Sequence, residues 1–191
     1  MKITTNRFLL RDFELPDREP FLQHHYDPEL LARYGPDEAA PGHGERLFEE
    51  FRSWADEKPR RKYQLAVFRR DRPLHLIGSC GIRGAEDTTT AECGIALAPK
   101  CWGRYGYAAE VAIACLAFAF EHLNLQSVSG TTASMNRHVG RLAIWVGAVH
   151  TSSDGTPDTN ELPQTHWRLT RENWNAVQSR VTRWSRIQAE Y

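Results

Sequence analysis

The sequence predicts a mixed α+β domain: a central, mostly antiparallel sheet flanked by helices. Three observations carry this expectation. After one alternating opening run, the hydrophobic period is helical as far as Glu57 and changes to alternation beyond it. Three strand-like runs joined by short turns follow, as in an antiparallel meander. The longest helical stretch, apolar almost all round, then stands between that meander and a later strand, which allows a parallel pair there.

The elements follow in order. Ile3 to Leu15 alternates loosely through Phe8, Leu10 and Phe13 and reads as one opening strand. Pro16-Asp17 starts a helix through Tyr26, and Asp27-Pro28 restarts a short helical piece through Tyr34. Residues 35–44 form a Gly- and Pro-rich loop. Glu45 to Glu57 places Leu47, Phe48, Phe51 and Trp54 at helical spacing. Strands are expected at Tyr63–Phe68, Leu76–Ile82 and Ala91–Leu97, with turns at Asp71-Arg72-Pro73 and Asp87–Thr90. Tyr107 to His122 is the long apolar helix. A strand at Gln126–Ala133, a helix from Arg137 to Val146 stopped by Gly147, strands at Val149–Ser152 and Thr165–Thr170, and a closing helix from Asn173 to Ile187 complete the chain.

The bulk numbers narrow the function. The chain has 191 residues, which suits one domain spanning 1–191 with a core that needs neither disulfides nor metal. Its 24 basic and 24 acidic residues balance, against the basic excess usual in partners of nucleic acid or membrane surfaces. No apolar run is long enough to span a bilayer, and Met1 to Phe13 lacks a signal-peptide core, so the expected compartment is the cytoplasm. Cys80, Cys93, Cys101 and Cys115 form no C-x-x-C pair. Reduced, mostly buried thiols are expected, and no metal.

The chemically informative stretch runs from Glu92 to Glu110. A strand passes through a loop containing Gly103 and Gly106 into the apolar helix. Such a loop can hold a phosphate: its N–H groups and the helix N-terminus converge on one spot, glycine lets the backbone approach, and Arg104 can add a charge-assisted contact. On its own it is equally an ordinary strand-to-helix turn. It is neither G-x-G-x-x-G after an opening strand nor a Walker loop with its lysine.

The same stretch resembles the acyl-CoA-binding core of the GNAT superfamily of N-acetyltransferases. It is most similar to the branch that includes enzymes acetylating the N-termini of ribosomal proteins. There a strand E-x-G-x-x-L-x-P runs into W-G-x-G-Y-A-x-E. Here Glu92, Gly94, Leu97 and Pro99 match, then Trp102, Gly103, Gly106, Tyr107, Ala108 and Glu110, with one extra residue between the glycines. A second block, N-x-x-S-x-R-L-x-x-x-x-G, is matched by Asn136, Arg141, Leu142 and Gly147. Asn6 to Arg11 and His166 to Trp174 resemble the family's first strand and its closing strand and turn.

The resemblance implies a splayed strand pair with acetyl-CoA between the strands and no metal. Backbone groups of Ile95, Ala96 and Leu97 would meet the pantetheine. The loop of Trp102, Gly103, Arg104, Tyr105, Gly106, Tyr107 and Ala108 would hold the pyrophosphate, and Asn136 and Arg141 are carried over as further cofactor contacts. The implied chemistry is direct attack of a neutral amine on the thioester in a ternary complex, helped by a base and by a backbone N–H near Ile95 or Ala96 facing the oxyanion. Glu92 is the expected base and His166 the second candidate. The general acid departs from the family: its usual Tyr position is Ala143 and the branch's Ser position is Val139, which leaves the thiolate to depart unassisted, to take a proton from water, or to use a nearby group such as Ser134. His24, His25 and His43 fall in the acceptor-closing region and are expected mostly at the surface. Tyr34, Asp37, Glu38, Asp154, Asp158 and Glu161 fall where the acceptor site would be walled. The implied acceptor is a protein N-terminus or a small-molecule amine, and the chain a monomer or homodimer. A catalytically silent acyl-CoA-binding sensor or interaction module of the same fold is the alternative.

Overall fold

Alternation along one strand sorts the core into two layers. In β3 (Lys62–Arg69), Leu65 and Val67 point into one apolar cluster while Ala66 and Phe68 point into another, as the two-residue period of a strand demands. In the computed structural model, residues 1–33, 36–84, 89–103, 106–133, 136–154, 163–181 and 188–190 are described.

The remaining strands are β1 (Lys2–Thr4), β2 (Phe8–Asp12), β4 (Arg72–Gly84), β5 (Thr90–Leu97), β6 (Ser127–Ala133), β7 (Val149–Asp154), β8 (Gln164–Thr170) and β9 (Gln188–Glu190). The helices are α1 (Arg18–His25), α2 (Pro28–Leu31), α3 (His43–Ser53), α4 (Tyr107–Ala117), α5 (Arg137–Trp145) and α6 (Arg171–Val181). Among the described residues the sheet runs β7-β8-β6-β5-β4-β3-β2-β1-β9. Its neighbours are antiparallel except for β5 and β6. The meander and the parallel pair expected from the sequence are both present.

One face of the sheet is covered by α4, whose Val111, Ile113, Cys115 and Leu116 pack with Val67, Ile82, Val128 and Leu169. α4 ends in a π turn at Phe118–His122, and Phe120 stacks on the fully buried Trp174 of α6 at 5.7 Å. The opposite face carries α1 and α3 through an aromatic cluster of Phe13, Phe21, Phe48, Phe51 and Trp54. Burying such side chains stabilises by roughly 1.5–3 kcal/mol each.

Local chemistry fixes the boundaries. Asp27 accepts the Glu29 and Leu30 N–H groups and Pro28 opens α2. Asn136 accepts the Val139 N–H and opens α5. The expected single strand over Ile3–Leu15 is instead the hairpin β1–β2. The reversal is built by Thr5, whose hydroxyl accepts the Phe8 N–H at 3.0 Å while its own N–H donates to the Phe8 carbonyl at 2.9 Å. At the other end, α6 starts two residues before the expected helix and is described to Val181. The three-residue β9 pairs with β1, too short an element to show a period.

Candidate functional site

β5 keeps its register with β4 to the end, Leu97 opposite Gly78. β6 keeps its register with β8 to the end, Ala133 opposite Gln164. Between them the parallel pairing stops at Glu92 opposite Ser129, after three residue pairs. Cys93 and Gly130 still lie close, a Cβ on Gly130 falling 3.4 Å from the Cys93 carbonyl oxygen, and residues 94–97 and 131–133 then border the parting of two strands that are each held from the outer side. Backbone groups left open there need partners, and an extended, amide-bearing chain supplies them as an added strand would.

The end of β5 is pinned from several directions. Gly78 lies at φ +148°, and a Cβ on it would meet the Ala96 carbonyl oxygen at 2.1 Å, so the absence of a side chain there lets β4 and β5 close on each other. The Trp102 indole N–H donates to the Leu97 carbonyl at 2.8 Å, which occupies a backbone group expected to meet the pantetheine. The Arg33 guanidinium lies 4.7 Å from the centroid of the Trp102 ring.

The loop then enters α4 through Gly106, at φ +71° and with no side chain capping the helix. Glycine takes that left-handed conformation without a Cβ penalty. Glycine has no side chain to occupy the first-turn N–H groups of α4, and a helix N-terminus with its dipole suits an anion. Tyr107 packs edge-on against Phe8 at 4.9 Å. Glu110, 2% exposed, accepts from the Thr5 hydroxyl at 2.6 Å, the Arg7 N–H at 2.9 Å and the Arg7 Nε at 2.5 Å. The sequence shows Glu110 only as one letter of a motif. The structure gives it the work of fastening the first turn of α4 to the β1–β2 hairpin.

Glu92 and His166 come together. Register places Glu92, Ser129, Arg168, Thr131 and His166 on one sheet face, opposite the face that α4 covers. They line one cleft of about 350 Å³ with Thr151 and Ser152. Thr131 Oγ1 lies 3.2 Å from His166 Nδ1, and the Thr151 hydroxyl donates to the His166 carbonyl at 3.2 Å. Glu92 is exposed, with Arg83 Nε 3.7 Å from its carboxylate. A carboxylate, an imidazole and several hydroxyls thus converge beside the point where β5 and β6 part.

Other expected residues stand elsewhere. The Asn136 side chain is engaged as the cap of α5, and Arg141 reaches His138 Nδ1 at 3.0 Å; neither lines the Glu92 cleft. Ile95 and Ala96 are half-buried on β5, and Gly103 and Ala108 are exposed. Ser134, Arg104 and Tyr105 lie outside the described residues, as do Tyr34, Asp158 and Glu161. Of the three early histidines expected mostly at the surface, His24 is buried, and among the described residues neither ring nitrogen makes a well-formed hydrogen bond, the Ala96 backbone being the nearby polar group. Burial pushes its pKa down to about 4. His25 Nε2 lies 3.0 Å from the Glu38 carbonyl and 3.3 Å from His43 Nδ1, and burial lowers its pKa too.

The cysteines are free, with Cys80, Cys101 and Cys115 buried. Cys93 is held well above the usual thiol range by its contact with Cys115 and by burial, and Cys115 likewise, first by Cys80. Both stay as poorly nucleophilic thiols. Among the described residues, no group of three or more His, Cys, Asp or Glu side chains is placed to hold a metal ion. No helix among them is long and apolar enough to cross a membrane.

Residues 7–149 match the family model described as an acetyltransferase (GNAT) domain. FsC-acetyl coenzyme A-N(2)-transacetylase from Aspergillus fumigatus is 32% identical over 96 residues, 48% of this chain and 40% of that relative, so the chain spans under half of its length. The fold matches a GNAT-family acetyltransferase from Bacillus anthracis with a TM-score of 0.70 at 22% identity, covering 90% of this chain and 99% of that one. It also matches spermidine N-acetyltransferase from Vibrio cholerae in complex with CoA and spermine, with a TM-score of 0.70 at 17% identity, covering 88% and 98%.

Proposed function

The chain belongs to the GNAT acetyltransferase family, and on that premise we propose that it transfers the acetyl group of acetyl-CoA directly to an amine held in the Glu92–His166 cleft. The observation that carries the reading is the parting of β5 and β6 after Glu92 and Ser129, followed by the uncapped N-terminus of α4. The gap suits an extended pantetheine with its amides, and the open helix end suits a pyrophosphate.

Acetyl-CoA supplies an activated acyl carbon and a thiolate leaving group. The chain's residues do the rest. The backbone of β5 from Cys93 to Leu97 orients the donor and turns an N–H toward the charge that develops on the acyl oxygen. Gly103, Gly106, Tyr107 and Ala108 receive the pyrophosphate. Glu92 attracts the ammonium form of the acceptor and takes its proton, directly or through a water, so that a neutral amine attacks. His166, steadied by Thr131, is the second proton acceptor. Ala143 and Val139 can donate no proton, so the thiolate takes one from water. No cysteine is needed as a nucleophile, in keeping with the raised pKa of Cys93 and Cys115.

The acceptor we infer is a cationic primary amine, either a protein N-terminus, as the motif likeness to the ribosomal-protein branch suggests, or a small molecule. The polyamine named for the Vibrio cholerae neighbour is one compound to screen. The first experiment is calorimetric titration with acetyl-CoA of the wild type and Gly106→Glu, followed by an amine screen for CoA release. A Cβ at Gly106 has no heavy atom nearer than the Arg7 guanidinium at 4.0 Å, so the variant should fold, at a backbone cost of about 1–2 kcal/mol. Binding that disappears in the variant supports the reading. A folded wild type that does not bind acetyl-CoA sinks it.

A further inference from the structure

A second cleft, of about 330 Å³, lies where the β3–β4 hairpin meets the segment leading into α4. Arg69, Arg72 and His75 line the hairpin side; Lys100, Cys101 and Tyr107 line the other. Its polar wall is cationic in a chain with no net charge. Asp71 engages Arg69, with Nε at 2.8 Å, and its charge also reaches Arg72 and His75, but among the described residues no carboxylate forms an ion pair with Arg72 or Lys100. The groups feel one another: burial lowers the proton affinity of the His75 ring, and Lys100, Arg72 and Arg69 lower it further. Like charges gathered around a concavity repel one another, and an anion between them removes the repulsion.

The position gives the anion a chemistry. Tyr107 follows Gly106 directly, so the cleft borders the loop that receives the pyrophosphate. Coenzyme A carries a further phosphate on its ribose, one sugar away from that pyrophosphate. A monoester at neutral pH bears up to two charges and three acceptor oxygens, which suits a planar guanidinium and an ammonium approaching from two sides.

We propose that the Arg72–Lys100 cleft binds a phosphate monoester, supplied either by the ribose phosphate of acetyl-CoA or by a separate phosphorylated molecule. The first source rests on the reading of the Gly106 loop as the pyrophosphate site. Arg72 and Lys100 are exposed, so their removal should leave the fold intact.

The test is calorimetry at low salt with CoA and with 3′-dephospho-CoA, on the wild type and on the Arg72→Ala, Lys100→Ala double variant. Inorganic phosphate is then titrated into the 3′-dephospho-CoA complex of each. Preference for CoA by about tenfold in the wild type, lost in the variant while 3′-dephospho-CoA binds both alike, supports the proposal and names the ribose phosphate. Equal binding of the two coenzymes, with inorganic phosphate still titrating the wild-type complex but not the variant, supports a separate phosphorylated ligand. A CoA preference that survives the double substitution, or a wild type that neither prefers CoA nor binds phosphate, overturns it. If neither coenzyme binds the folded protein, the pyrophosphate reading fails at the loop, and titration of the free protein with phosphate decides the cleft alone.

Discussion

Arg7 and Glu110 stand 103 positions apart in the chain and meet through two contacts: the Arg7 backbone N–H and its Nε each donate to a different oxygen of the same buried carboxylate. The Arg7 guanidinium also lies 4.9 Å from the Tyr107 ring centroid and 3.4 Å from the Gly106 carbonyl. One surface side chain thus holds the first turn of the cofactor helix from outside.

Arg7→Ala should therefore destabilise the fold and loosen the loop together. Stranding a buried carboxylate costs about 3–5 kcal/mol when the whole pair is dry. Arg7 is 40% exposed and the Thr5 hydroxyl remains, so a loss of about 2 kcal/mol is expected in urea unfolding, with weaker acetyl-CoA binding. An unchanged midpoint would show that Thr5 and the backbone hold Glu110 without help.

Gly78→Ala should be more damaging than its size suggests. The new Cβ would meet the Ala96 carbonyl oxygen at 2.1 Å and the Leu97 Cα at 2.8 Å, both backbone atoms that cannot swing aside. A loss of about 3 kcal/mol or more is expected, read as a large fall in Tm. A variant that melts like the wild type would mean that β4 and β5 can separate there freely.

Glu92→Gln should lower kcat by about 10²-fold or more and leave the KM for acetyl-CoA nearly unchanged, measured by CoA release with an identified amine. His166→Ala should cost less. If Glu92→Gln turns over normally, the carboxylate serves only as the partner of Arg83, and His166 becomes the base to test.

His24 makes stability depend on pH. Its pKa is about 4 in the folded chain against an ordinary 6.5, so between those values the unfolded chain binds the extra proton. Stability is complete above about pH 6.5 and falls as acid is added through pH 4, by about 3 kcal/mol in all from this group. His24→Phe should flatten that slope in unfolding curves taken from pH 7 to 4. The same slope in the variant would assign the effect to His25 and the carboxylates.

What the sequence makes legible follows from how local each signal is. The Gly103–Gly106 loop and the apolar α4 are contiguous, so their residue types announce them. So does the meander, whereas the capping role of Asn136 shows only in the folded chain. The meeting of Glu92 with His166 depends on the register of β5, β6 and β8, which no single segment encodes; the likeness to a family brought the two residues forward, and the register brought them together. The Thr5 hydroxyl that splits the first strand, and the burial of His24 on a helix whose apolar face is weak, arise from contacts made only in the folded chain.

The short β5–β6 pairing also has a mechanical meaning. In its hydrogen bonding the sheet divides into two plates, β9 to β5 and β6 to β7, joined along a seam of three residue pairs and bridged by the core under α4. Bending concentrates at such a seam, and the smaller plate is the part able to open as a sub-global unit. A ligand seated in the gap acts as a splint across it. It makes the two plates respond as one body, so that slowed amide exchange in β7 and β8, strands that need not touch the ligand, would report its arrival.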